Sequence, residues 1–122
     1  VLGTAGVFYR KFRGSVQDIP HPRYQELKQS LTDIFSKYPN LIYAAGHEHN
    51  LQYRKENGQH YIVSGAGTKT TYVKKGRKAA FTHAHKGFAR LDFESTGGAV
   101  LRFYEADENG RELEVYSVRI LD

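Results

Sequence analysis

The chain has 122 residues, of which 39% are hydrophobic and 25% charged, with a formal net charge of +5. That is the size and balance of one folded domain, which excludes a disordered segment, and no apolar run approaches the roughly 20 residues of a bilayer-spanning helix. Cysteine is absent, which excludes disulfides, thiolate metal ligands and cysteine nucleophiles together. Methionine is absent as well and the chain opens on Val1, as expected of a processed product or a piece of a longer protein.

Residues 1–20 mix aromatics, arginines, glycine and proline without a period and read as irregular. Pro22 then opens a helix, at a position where its missing N–H costs nothing. Tyr24, Leu27, Leu31, Ile34, Phe35 and Tyr38 fall three or four apart and predict one buried stripe over residues 22–38, ended by Pro39. Residues 41–122 read as strands and loops. "LIYAA" is expected to be a short, fully buried strand, broken by Gly46. "LQYRK" and "HYIVS" flank an Asn57-Gly58 turn and predict a hairpin.

After "GAGTKT" a polar, basic loop is expected from about Lys74 to Lys86. Three strands follow, "GFARLDFE", "AVLRFYEA" and "LEVYSVRIL", separated by turns at Gly97-Gly98 and Asn109-Gly110. In the first, Phe88, Arg90, Asp92 and Glu94 face one way and Ala89, Leu91 and Phe93 the other. The last strand alternates imperfectly. The order predicts an α+β fold with a largely antiparallel sheet.

Charge is uneven along this order. No acid lies between Asn57 and Leu91, where Lys69, Lys74, Lys75, Arg77, Lys78, Lys86 and Arg90 are basic, whereas Asp92–Asp122 carries eight acids against three arginines. Such a segment faces an anionic substrate, neutralises a neighbouring face or is a solvated loop.

The chemistry concentrates in "AGHEHNL", residues 45–51. His47 and His49 lie just past a buried strand, where a rigid scaffold presents reactive groups. Neutral imidazole suits zinc, manganese and iron, and an extended H-x-H pair sends both rings to one side. Gly46 would let the backbone turn sharply beside an ion.

"GHEHN" after a strand, followed by a hairpin and "IVSGAG", resembles the C-terminal part of calcineurin-like metallophosphoesterases, in the purple-acid-phosphatase-like superfamily. "GHEHNLQ" with "VSGAGTKT" is most similar to bacterial members, often exported and sometimes fused to a membrane-anchored partner domain, which implies an extracytoplasmic protein. The resemblance runs from Tyr24 to Phe93 and rests on Gly46, His47, His49 and Asn50, supported by Ser64, Gly65, Ala66 and Gly67. It implies the C-terminal part of a β-sandwich with flanking helices, and a two-metal centre of manganese, zinc or iron. His47 would ligate one ion and His49 the other, and the centre would hydrolyse a phosphate mono- or diester. Glu48 is given no role.

The family's earlier motifs, D-x-H, G-D-x-x-D and G-N-H-[DE], do not occur in this chain, and His21 is a weak stand-in for a later histidine. The chain therefore reads as the C-terminal portion of such a domain, inactive without the missing N-terminal half that would supply the other ligands.

Other groups carry less. His83 and His85 form a second H-x-H, read as part of the basic loop more than as a ligand pair. In "SGAGTKT" the glycine spacing matches no phosphate-loop motif; Lys69 is a weak candidate for contacting substrate phosphate. His60 reads as a strand-edge residue. The nine tyrosines read as core and interface, and no nucleic-acid-binding signature frames them. The rival readings are a non-enzymatic β-rich accessory domain and a cupin-like single-metal barrel. Against the barrel stand the long helix and the lack of a glutamate shortly after His49, Glu56 being the next.

Overall fold

The computed structural model describes residues 21–122, so the irregular reading of residues 1–20 lies outside the described residues. These belong to two compact units, one ending at Tyr38 and the other running from Pro39 to Asp122.

In the first, helix α1 spans Pro22–Phe35, with Pro22 in its first turn and His21 as N-cap. The His21 Nδ1 accepts from the Arg23 N–H at 3.2 Å, which satisfies one of the free donors of the first turn. At the other end Lys37 and Tyr38 donate to Ile34 and Phe35, so the last predicted turn is wound into tighter i→i+3 bonds before Pro39. The expected apolar stripe is narrower than its spacing suggested. Tyr24, Leu31 and Phe35 are half-buried, whereas Leu27, Ile34 and Tyr38 are exposed. At 3.6 residues per turn the first three lie within about 20° of one line, with Leu27 and Ile34 about 60–80° off it.

The second unit is two sheets. The first has the order β1-β3-β2-β4 and the second β5-β6-β7. In the first sheet β1 is Ile42–Ala45, β2 Leu51–Glu56, β3 Gln59–Ser64 and β4 Phe81–His83. β1 runs parallel to β3, and β2 pairs antiparallel with both β3 and β4. Asn57 and Gly58 close the β2–β3 hairpin with φ of 53° and 79°, the left-handed pair of a type I′ turn that matches strand twist. In the second sheet β5 (Gly87–Phe93), β6 (Ala99–Ala106) and β7 (Glu112–Leu121) form an antiparallel meander. Leu51, Tyr53, Ile62 and Ala66 of the first sheet and its loop bury against Ala99, Leu101, Phe103 and Ile120 of the second. The fold is thus α+β and mostly antiparallel, as the sequence pattern implies.

Four expectations are corrected. "LIYAA" is not a fully buried strand: among the described residues β1 is an edge of its sheet, and Tyr43 and Ala44 are exposed. The segment 74–86 is not all loop, because Phe81–His83 adds to the edge of β2. Phe93 does not share the buried face of Ala89 and Leu91; it is 68% exposed at the end of β5. His60 is not a strand-edge residue, since β3 lies between β1 and β2 and His60 is only 1% exposed. The uneven alternation of the last strand also has a cause. The β6–β7 register shifts between Ala99 and Val100 and again between Phe103 and Tyr104, so Val115 and Ile120 are passed over. Each bulge turns the following side chains to the other face.

Candidate metal centre

The histidine loop hangs between the end of β1 and the start of β2. It is folded by its own backbone: Glu48 N donates to Gly46 O at 3.0 Å, and Asn50 N to Glu48 O at 2.8 Å. The sharp turn falls on His47, whose φ is 74°, and not on Gly46. A β-carbon-bearing residue in that region costs about 1–2 kcal/mol, and such strain concentrates where a side chain must be aimed.

The glycine that the loop requires is Gly65, on the segment after β3. A Cβ there would stand 2.0 Å from the Glu48 carbonyl oxygen and 3.4 Å from His47 N. Gly65 N also donates to Asn50 O at 3.2 Å, and Thr71 N to His49 O at 2.7 Å. Asn50 is buried, and its Oδ1 accepts from Gln52 Nε2 at 2.7 Å. The "GHEHN" and "SGAG" strings, 14 or more residues apart in sequence, are therefore two halves of one backbone arrangement.

On this base His47 and Glu48 are exposed and His49 is half-buried. Among the described residues, no third histidine or carboxylate joins His47 and His49 in a ligand group. Lys69 is exposed on the segment that Thr71 ties to the loop. His21 caps α1 in the other unit.

A second group assembles where the sequence reading expected loop. His83 Nε2 is 2.8 Å from Glu105 Oε2, and His85 Nδ1 is 3.5 Å from Glu105 Oε1. The two imidazoles stack at 4.8 Å between centroids. Glu105 is the residue that sequence reasoning missed; it lies in the other sheet, and no local signal marks it.

Away from these loops, His60 Nδ1 is 2.8 Å from Tyr53 Oη, while its Nε2 is buried and without a partner among the described residues. Burial, then the nearby Lys55, holds its pKa below the ordinary histidine value. Burial likewise raises that of Tyr53, with help from Tyr116. Three of the tail's acids are matched by arginines inside the second sheet. Asp92 pairs with Arg90 and Arg102, Glu94 with Arg119 and Glu114 with Arg102. Of the basic segment, Lys78 pairs with Glu56, and Lys69, Lys74, Lys75 and Arg77 stand exposed.

No family model matches the chain. A 42-residue stretch is 48% identical to the tartrate-resistant acid phosphatase type 5 of Oryctolagus cuniculus, which covers 34% of this chain and 13% of that protein. Among solved structures, the fold is similar to GAP50, the anchor in the inner membrane complex of Plasmodium. That match has a TM-score of 0.67 and 20% identity, over 80% of this chain and 30% of that one. The chain thus spans less than a third of either protein's length. The fold is β-rich, like that solved structure, and a third of the chain is similar in sequence to part of an acid phosphatase.

Proposed function

We propose that this chain is the C-terminal portion of a two-metal phosphoesterase domain, in which His47 and His49 each give an imidazole to one of two ions. The observation that supports this best is the strained loop itself. His47 stands in a left-handed conformation beside a Glu48–Gly65 backbone contact that leaves no room for a Cβ, within a chain that shares a stretch with an acid phosphatase.

Each ion takes about four ligands or more, and two neutral imidazoles meet only a part of that. Alone, the chain does not fit a dinuclear centre, and the other ligands belong to the missing N-terminal half. When bound, ions of this kind (manganese, zinc or iron) supply Lewis-acid activation of water and neutralise charge on a phosphate mono- or diester. The chain's own part is to aim the two rings from a rigid strand end and to present Lys69 as an exposed cation to an anionic substrate.

The test is elemental analysis beside p-nitrophenyl phosphate turnover with added manganese or zinc, on this chain and on one extended upstream. The expected result is that only the extended chain holds about two ions and hydrolyses, and that His47→Ala removes both properties. An extended chain that folds, binds no metal at His47 and His49 and stays inert would instead favour an accessory domain.

A further inference from the structure

We propose that His83, His85 and Glu105 form a separate site for a single late first-row divalent cation, zinc being the type case, with solvent completing the coordination. The three donor atoms lie within 4.8 Å of one another, and this is the one such group among the described residues. Its chemistry is that of an open site: two neutral imidazoles and one carboxylate leave a position for water. Tetrahedral zinc with bonds near 2 Å needs donors about 3.3 Å apart. The pair between His83 and Glu105, at 2.8 Å, already stands near that separation.

The fold brings these residues together. His83 ends β4 and His85 lies in the bend that follows it, where its ring stacks on that of His83. Only Ala84, His85 and Lys86 link β4 to β5, so the chain crosses at once from one sheet to the other. The crossing is close: Gly87 stands opposite Glu105 in register, and a Cβ on Gly87 would come 2.0 Å from the Tyr104 carbonyl oxygen. Ala106 N donates to Lys86 O at 3.0 Å, which fixes Glu105 beside the two rings.

The site is part rigid and part adjustable. The His83 ring is mostly covered and stacks on Phe81 at 5.9 Å. The His85 side chain is 65% exposed, so it can swing the remaining distance to an ion. Lys86 places a positive charge next to the site and lowers its affinity; the Glu105 carboxylate offsets it. His83 pairs with Leu51, the first residue of β2, so the cation would sit beside the histidine loop and tie β4 to β6.

The experiment is calorimetric titration of zinc chloride into the full chain carrying His47→Ala and His49→Ala, so that those rings contribute nothing. The expected result is one ion per chain, with binding weakened at least about 100-fold by His85→Ala or by the isosteric Glu105→Gln. Zinc should also raise the Tm of the starting protein and leave that of Glu105→Gln unchanged. His85 is exposed, so its replacement leaves the fold intact. Failure of the folded starting protein to take up zinc, or uptake that ignores both substitutions, overturns the site. Equal binding of magnesium also overturns it, because a hard cation has no use for two imidazoles.

Discussion

At the level of single residues, the glycine that shapes the histidine loop does so from outside it. Gly65 leaves room for the Glu48 carbonyl, and any side chain there must push the loop away. Gly65→Ala is expected to destabilise by about 1–3 kcal/mol, as overpacking does, and to shift the ring resonances of His47 and His49. Gly67→Ala is the control, since a Cβ there meets nothing within 4 Å; urea unfolding should place it within about 0.5 kcal/mol of the parent.

His60 acts through its burial. Its folded-state pKa is depressed, so between that value and the unfolded value of about 6.5 the unfolded chain binds the extra proton. Stability is therefore full above that range and falls as the pH drops through it. Thermal melts of His60→Leu should show a shallower acid slope than the parent, whatever the offset from leaving Tyr53 Oη unpaired. Equal slopes would show that His60 is not the titrating group.

At the level of elements, what was legible in the sequence is what local rules decide. Pro22 opens α1 and Asn57-Gly58 closes the hairpin, because each conformation is set within two or three residues. β4 was hidden because three residues make no period, and its pairing with β2 depends on residues about 30 positions away. The bulges of β7 were visible only as broken alternation, without the partner strand that explains it. The same limit split the site: His47 and His49 announce themselves by spacing, whereas Glu105 joins His83 and His85 only once two sheets are stacked.

The apolar part of that stacking runs from β4 through Phe81. Phe81 packs on Phe103 at 4.8 Å and on Tyr116 at 4.6 Å, both from the opposite sheet. Phe81→Ala is expected to cost about 3 kcal/mol, the low end for a phenylalanine in a core, since the ring is half-buried. Hydrogen exchange should show β4 losing protection before the rest of the first sheet does. If β4 stays as protected as β2 in that variant, the aromatic contact is not what holds it.

At the level of the whole molecule, the edges of the two sheets are defended unequally. In the second sheet β5 carries Arg90 and Asp92, and β7 carries Glu112, Glu114 and Arg119 together with two bulges. Charges and bulges of this kind keep an edge from pairing with another chain. β1 has neither. Its four residues, Ile42, Tyr43, Ala44 and Ala45, are uncharged and regular, and among the described residues they pair in parallel register with β3. Parallel strands are ordinarily covered on both faces, yet Tyr43 and Ala44 are exposed. A charge placed on that strand tests how it is used: Ala44→Lys is expected to change the free energy of urea unfolding by no more than about 0.5 kcal/mol, because position 44 is exposed. A larger loss would show that this edge is a covered seam of the fold.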